Sequence, residues 1–378
     1  MNKKVFLIFG TRPEGIKMYP VYKALKEKRT LETRVIITSQ HQEMLKQVID
    51  LFDINVDYNL HVMEDRQTLT KITVKVLNGL KEIFNEDRPD LVLVHGDTTT
   101  TFSSALAAFY EKIPIGHVEA GLRTFNKFFP YPEEMNRKLT DALSDLHFAP
   151  TNSAMQNLLS EGVDKTNIFV TGNTVVDAVK EIVARKKDTK FQFLKEGVPF
   201  VLVTAHRREN WGKPMENICK AIDEVSKRYS DKIQFVFSVH KNPLVRETVK
   251  KILGKNKNVT LMEPMKYDDF LALLNKSRFI LTDSGGIQEE APSLSKPVLL
   301  LRTVTERPEA VEAGVVKVVG TDKEEIKKYV IKLIDDENFY SKMSLTENPF
   351  GDGKAGKRIA DLVENFLSKG EKNGILRD

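Results

Sequence analysis

The sequence is poor in the features that staple, anchor or steer a chain. Its one cysteine, Cys219, leaves no internal disulfide and no thiolate zinc cluster, and makes a reducing cytoplasm the expected compartment. No uninterrupted apolar run approaches the ~18 residues of a membrane-spanning helix. The apolar start Val5-Phe-Leu-Ile-Phe9 is too short for a signal peptide, meets Arg12 and Glu14 at once and lacks a small-residue cleavage site; it is expected to be a first strand. Charge is nearly balanced, 58 basic against 53 acidic side chains for a net +5, and spread along the chain, so no nucleic-acid partner is expected. A basic cleft for a phosphorylated small molecule fits that balance equally well. GxGxxG and P-loop patterns are missing. The seven histidines show neither HExxH nor HxxxH spacing, so no metal is expected. There is no internal repeat.

What the chain has is alternation. Val5–Phe9, Arg34–Thr38, Leu91–His95, Ile113–Val118 and Leu146–Ala149 read as short buried strands. Helical periods lie between them at Glu14–Lys28, Gln42–Phe52, Leu69–Asn85 and Thr100–Glu111. The cycle restarts with strands Phe200–Thr204, Gln234–Val239, Val259–Met262, Phe279–Thr282 and Val298–Leu301, and helices around Pro214–Arg228, Pro243–Leu253 and Asp268–Lys276. Repeated βαβ units predict an α/β protein with two Rossmann-like domains, parallel sheets and a cleft between them. The charged stretch Ala184–Gly197 is the linker candidate, placing the domains at 1–184 and 185–356.

In open α/β sheets ligands bind at the carboxyl ends of strands, where helix N-termini also point. The chemistry-bearing segments sit there. Gly10-Thr-Arg-Pro-Glu-Gly-Ile-Lys17 follows the first strand. A capping box explains Thr11 and Glu14, and Pro13 suits a first turn. Arg12 and Lys17 add positive charge to a helix start that already carries it, which an anion would relieve. Asp97 ends the strand Leu91–His95, either as a helix cap with Thr98 or as a carboxylate offered to a ligand. His117 and Glu119 are two apart and share a face if the strand stays extended. Glu133 opens a helix after Tyr131-Pro132, where dipole compensation is the alternative to chemistry. Ala205-His206-Arg207-Arg208 ends the first strand of the second half. Thr282-Asp-Ser284-Gly285-Gly286 runs from strand into an expected helix, a turn suited to a diphosphate, with Glu290 in reach of ribose hydroxyls. Arg307 lies on the same edge.

Taken together, Gly10-Thr-Arg-Pro-Glu, Val94-His-Gly-Asp-Thr-Thr-Thr-Thr, Gly116-His-Val-Glu-Ala-Gly-Leu-Arg, Tyr131-Pro-Glu-Glu-Met-Asn-Arg, Ala205-His-Arg-Arg-Glu-Asn, Thr282-Asp-Ser-Gly-Gly-Ile-Gln-Glu-Glu, Thr305-Glu-Arg-Pro-Glu and Asn348-Pro-Phe-Gly-Asp-Gly, in that order, resemble the non-hydrolysing UDP-N-acetylglucosamine 2-epimerase family. The resemblance implies a GT-B fold, a homodimer, and a final helix near 357–367 that returns to the first domain. It implies interconversion of UDP-N-acetylglucosamine and UDP-N-acetylmannosamine without a cofactor, supplying cell-surface polysaccharide synthesis. It places the nucleotide on Arg12, Lys17, His206, Phe270, Ser284, Gly285, Gly286, Glu290 and Arg307. Catalysis falls to Asp97, Glu119 and Glu133, with His206. It also implies an activator site for the same nucleotide sugar at Gln40, His41, Arg66, Arg207 and His240, with Glu133 shared. Four positions depart from the family: Thr303 and Val304 before Thr305, Met265 where a glutamine meets the uracil side, and Glu43 where some members carry glutamine.

Chemistry supports the resemblance at one point. No carbonyl activates the proton on carbon 2. Oxidation there would need NAD and its fingerprint, which is missing. Departure of UDP from carbon 1 instead acidifies the neighbouring C–H and gives a 2-acetamidoglucal, to which UDP adds back on the other face. That route needs cations and helix ends for the diphosphate and a carboxylate base. The alternatives are a GT-B glycosyltransferase, which needs an acceptor, a hydrolysing epimerase, and a non-catalytic sugar-binding protein, which is usually exported.

Overall fold

Two sheets organise the chain, which a computed structural model describes over residues 2–39, 42–64 and 68–373. It divides into two compact units, Met1–Ala178 with Phe350–Asp378, and Val179–Pro349.

In the first unit the strands are β1 (Lys3–Phe9), β2 (Leu31–Ile37), β3 (Tyr58–Asn59), β4 (Leu91–His95), β5 (Ile115–Val118), β6 (Leu146–Ala149) and β7 (Ile168–Val170). The helices are α1 (Arg12–Lys26), α2 (Gln42–Phe52), α3 (Leu69–Glu86), α4 (Thr99–Tyr110), α5 (Glu133–Leu143), α6 (Asn152–Ser160) and α7 (Thr174–Arg185), whose later turns belong to the second unit. The sheet order is β3-β2-β1-β4-β5-β6-β7, parallel throughout. Every residue of β4 is buried, because helices cover both faces of a parallel sheet. Phe6, Ile8, Val92 and Val94 pack under Val76, Leu80 and Phe84 of α3 and Ala105 and Ala108 of α4.

The second unit repeats the plan with β8 (Phe200–Thr204), α8 (Lys213–Arg228), β9 (Gln234–Ser238), α9 (Pro243–Leu253), β10 (Val259–Met262), α10 (Tyr267–Lys276), β11 (Phe279–Thr282), α11 (Ile287–Glu290), β12 (Val298–Leu300), α12 (Pro308–Glu312), β13 (Val316–Val318), α13 (Lys323–Asp335) and α14 (Glu337–Ser344). Its parallel order is β10-β9-β8-β11-β12-β13. Val201, Val203, Phe235, Phe237 and Leu281 form the sheet side of its core, under Ile218, Ile222 and Val225 of α8. In both sheets strand order reverses beside the first strand, between β1 and β4 and between β8 and β11. Loops there diverge and leave room for a ligand.

The last helix, α15 (Ala355–Asn373), starts earlier and ends later than the 357–367 stretch and lies in the first unit. Asp177 accepts from the Gly356 and Ala355 N–H groups at 2.9 and 3.3 Å, capping its start. A Cβ on Gly356 would stand 2.6 Å from the Pro20 carbonyl, so glycine is what lets α15 approach α1. Lys28 ties the middle of α15 through Asp361 and Glu364. Three strands that the sequence did not announce, β3, β7 and β13, are sheet edges of two or three residues, too short to show a period. Among the described residues no helix is long and apolar enough to cross a membrane.

Candidate functional site

At the β1/β4 reversal the chain turns at Gly10. A Cβ there would fall 2.1 Å from Thr38 Oγ1 and 2.7 Å from Thr100 Oγ1, two hydroxyls that bond each other at 3.0 Å. Glu14 is buried beneath this turn. It accepts from the Gly10 and Thr11 N–H groups (3.0 and 2.7 Å) and from the Thr98 and Thr101 hydroxyls (2.7 and 3.0 Å). Burial pushes its carboxyl up and the four hydrogen bonds pull against that. Glu14 therefore does more than cap its own helix: it joins the loop after β1 to the start of α4.

Arg12, half-buried, is the first residue of α1. Lys17, one and a half turns on, forms an ion pair with Glu119, and both side chains are nearly buried. An internal carboxylate thus meets the Lys17 charge in this structure. Glu119 also accepts from Asn173 Nδ2 at 2.9 Å, and His95 Nε2 stands 3.8 Å away.

Glu119 lies one residue past β5 with φ +70°, so strand alternation has ended and the expected shared face with His117 does not form. His117 is wholly buried. Its Nδ1 meets Asp141 Oδ1 at 2.6 Å and its Nε2 meets the Gly96 carbonyl at 2.8 Å, so the ring is committed on both sides. Asp141 Oδ2 accepts from Arg123 Nη2 (2.8 Å) and the Gly121 N–H (3.2 Å). Burial alone would raise the Asp141 carboxyl; His117 and Arg123 outweigh it and hold the group below its ordinary range. Among the described residues no three His, Cys, Asp or Glu side chains cluster with metal-holding geometry.

Asp97 follows the left-handed Gly96 (φ +71°) at the end of β4. Thr98, not Asp97, caps α4, accepting the Thr101 N–H at 3.2 Å. The Asp97 carboxylate is instead held from α5, where Arg137 places Nε and Nη2 on Oδ2 at 2.9 and 2.7 Å. Glu133 opens α5. Its Oε2 is buried without a hydrogen-bond partner among the described residues. Its neighbour Glu134 is the structural one of the pair, accepting from the Thr124 and Phe125 N–H groups and from Arg137 Nη1 at 2.9–3.0 Å. Asp97 and Glu119 thus stand past the carboxyl ends of β4 and β5, and Asn136 and Arg137 tie the first turns of α5, which Glu133 opens, to Asp97.

At the β8/β11 reversal, Asp283 is wholly buried and Oδ2 accepts from the His206 N–H (2.8 Å), the Arg207 N–H (2.9 Å) and Asn210 Nδ2 (2.9 Å). Its Oδ1 stands 3.3 Å from His206 Nδ1. Burial lowers the His206 imidazole, with Asp283 opposing. His240 stacks on the His206 ring at 5.6 Å. Arg207 reaches over the glycine turn, with Nη2 3.5 Å from a Cβ built on Gly285; Ser284 and Gly286 flank it. The helix expected next is a single turn, α11, followed by a 3₁₀ turn, Pro292–Leu294. Pro292 has no N–H to continue it and Ser295 turns left-handed. Glu290 Oε1 accepts the Tyr267 hydroxyl at 2.9 Å, and Phe270 sits half-buried on the same α10. Arg307 is paired with the buried Glu289 and donates from Nη1 to the Glu306 carbonyl at 3.0 Å.

The Thr303-Val304 departure is bracketed by fixed points. Arg302, nearly buried, bonds Glu209 and Glu306 at 2.7 Å each, and Thr305 Oγ1 donates to Gln288. Val304 faces outward. Of the activator positions, Gln40, His41 and Arg66 lie outside the described residues. Arg207 and His240 both stand against the His206 site, and Glu43 is exposed on α2. Sequence reasoning passed over Asp283, Arg137 and Asn173. A carboxylate directly after the short strand Phe279-Ile-Leu-Thr282 was the signal for Asp283, and the i, i+3 spacing to Glu134 the signal for Arg137.

The chain is similar to known proteins over nearly its whole length. The family model for UDP-N-acetylglucosamine 2-epimerase matches residues 23–364. UDP-N-acetylglucosamine 2-epimerase of Escherichia coli O157:H7 is 52% identical over 371 residues, 96% of this chain and 98% of the relative. That of Bacillus subtilis is 52% identical over 361 residues, 95% and 94% of the two chains. The crystal structure of the Neisseria meningitidis enzyme bound to UDP-GlcNAc superposes with a TM-score of 0.86 at 48% identity, covering 96% of this chain and all of that one (100%). With this fold, these strand-end carboxylates and this glycine turn, the chain belongs to the UDP-N-acetylglucosamine 2-epimerase family.

Proposed function

We propose that this protein interconverts UDP-N-acetylglucosamine and UDP-N-acetylmannosamine by eliminating UDP and adding it back to a 2-acetamidoglucal. The observation that carries the reading is the carboxylate edge of β4 and β5. Asp97 is held there by Arg137 and Glu119 by Lys17, and at the start of α5, one turn before Arg137, Glu133 Oε2 is buried with no hydrogen-bond partner among the described residues. A buried, unsatisfied carboxylate oxygen is costly for folding and suits a group that meets a substrate proton or hydroxyl.

We assign Asp97, Glu119 and Glu133 to proton transfer at carbon 2 and around the sugar ring. Arg12, His206, Ser284, Gly285 and Gly286 are assigned to the diphosphate, and Phe270, Glu290 and Arg307 to the rest of the nucleotide. Lys17 serves by holding Glu119 and by adding positive charge to that edge. Cations and N–H donors stabilise UDP as it leaves, which is the step that acidifies carbon 2. The similar Neisseria meningitidis protein, whose crystal structure is bound to UDP-GlcNAc, supports UDP-N-acetylglucosamine as the ligand.

Incubation with UDP-N-acetylglucosamine in D₂O, followed by proton NMR without added cofactor or metal, tests the reading. Deuterium at carbon 2 of both epimers is expected. Epimerisation that keeps the original hydrogen would show hydride transfer instead. Release of free N-acetylmannosamine would point to the hydrolysing reaction, and no change without an acceptor would point to a glycosyltransferase. The same reading includes a cytoplasmic location and a homodimer, the dimer checked by light scattering. It also includes activation by UDP-N-acetylglucosamine through Arg207 and His240, which a lag with pure UDP-N-acetylmannosamine would reveal.

A further inference from the structure

We propose that Asp283 is a positioning residue that fixes His206 as the tautomer with its proton on Nδ1, leaving Nε2 as the working atom. The proposal rests on the reading above only for what Nε2 then touches.

His206 is held on four sides. Its N–H donates to Asp283 Oδ2 at 2.8 Å. Its carbonyl accepts the Trp211 indole N–H at 3.3 Å. Its ring lies on His240 with an interplanar angle of 23°. Its Nδ1 faces Asp283 Oδ1 at 3.3 Å. The two oxygens of Asp283 are unequal. Oδ2 is saturated by two backbone N–H groups and Asn210 Nδ2. Oδ1 is buried with no formed hydrogen bond among the described residues, and the His206 ring nitrogen is the donor in front of it. An ionised carboxylate only accepts, so the nitrogen beside it carries the proton, and the hydrogen bond at one ring nitrogen sets the role of the other. Such contacts are commonly long before a ligand arrives. Nε2 then points away from Asp283. The charged and titratable groups facing the ring are Asp283, which favours the imidazolium, and His240 and Arg207, which oppose it. Burial, His240 and Arg207 lower the proton affinity of the ring and Asp283 opposes them, so it is Asp283 that favours the protonated ring from which Nε2 donates to the oxygen of a departing phosphate.

The test is ¹⁵N NMR of the histidine rings in the whole protein, with the His206 signals assigned by their loss in His206→Gln. Wild type should show neutral His206 as the Nδ1–H tautomer. In Asp283→Asn the His206 midpoint should fall and the tautomer should change, while kcat drops about 10²-fold or more and KM stays within about threefold. Neutral wild-type His206 found as the Nε2–H tautomer overturns the proposal, even if the variant fails to fold. So does a folded Asp283→Asn with unchanged His206 signals, which would leave Asp283 as a loop cap. Because the ring signals need no turnover, the proposal can stand if the D₂O experiment fails, and fail if it succeeds.

Discussion

The two strand-order reversals meet one physical demand from opposite sides. Where the loops after β1 and β8 leave their sheets, backbone N–H groups are buried, and each pair is met by one carboxylate. In the first unit the carboxylate comes from the loop's own helix: Glu14 serves Gly10 and Thr11 and reaches across to Thr98 and Thr101. In the second it comes from the neighbouring strand, as Asp283 reaches back to His206 and Arg207. Glu14 makes four bonds to neutral donors and has no capacity facing the ligand edge. Asp283 keeps one oxygen toward a histidine. A saturated carboxylate holds a fold together; one with an oxygen in reserve can act on a titratable neighbour.

Three carboxylates outside this pair set the largest expected effect. Asp97→Asn, Glu119→Gln and Glu133→Gln should each lower kcat by about 10²–10⁴-fold while thermal unfolding stays close to wild type. Wild-type turnover in all three would reduce them to caps, leaving chemistry to the second unit alone.

Beneath that edge, Asp141→Asn removes the partner of buried His117 and Arg123. Breaking a buried pair costs about 3–5 kcal/mol, and urea unfolding at neutral pH should show it. Asp141 lies below its ordinary range when folded, so its contribution is present above the unfolded value, about 3.9, and is lost as pH falls through the lowered folded value. The cost of the substitution should shrink below about pH 3.9. A cost independent of pH would mean that packing, not charge, is what Asp141 supplies.

Glu14→Ala leaves the Gly10 and Thr11 N–H groups and the Thr98 hydroxyl without their acceptor, while the Thr101 hydroxyl keeps the His95 carbonyl at 2.6 Å. About 1–3 kcal/mol for such groups, not additive, puts the loss near 2–4 kcal/mol, with retained nucleotide binding in the folded fraction. Little loss of stability would break the contrast with Asp283.

The smallest effects sharpen the contrast through glycine. Gly10→Ala forces a Cβ against Thr38 and Thr100 and should cost about 1–3 kcal/mol. Gly285→Ala meets only Arg207 Nη2 at 3.5 Å and should change stability by less than about 0.5 kcal/mol while weakening UDP binding. Equal destabilisation would mean the second turn is as tightly packed as the first.

Most of this architecture was legible because strands buried on both faces, such as Leu91–Val94, write continuous apolar runs, and helices such as Gln42–Phe52 and Pro243–Leu253 keep their full period. The edge strands and the brief α11 were not legible. The first are too short to carry a pattern, and the second is cut off by Pro292. The strand-end positions of the candidate residues followed from the alternation of elements. Their partners did not.

The sequence by itself determined two parallel α/β sheets, the strand ends at which chemistry-bearing residues gather, and the family. It did so because burial and periodicity are local properties written every two to four residues. Tertiary structure alone decided which charge faces which: Lys17 against Glu119, Arg137 against Asp97, Glu14 as a cross-loop tie and Asp283 against His206. Those pairings join residues far apart in the chain, and a charge's partner depends on where the backbone carries it, which no spacing along the sequence records.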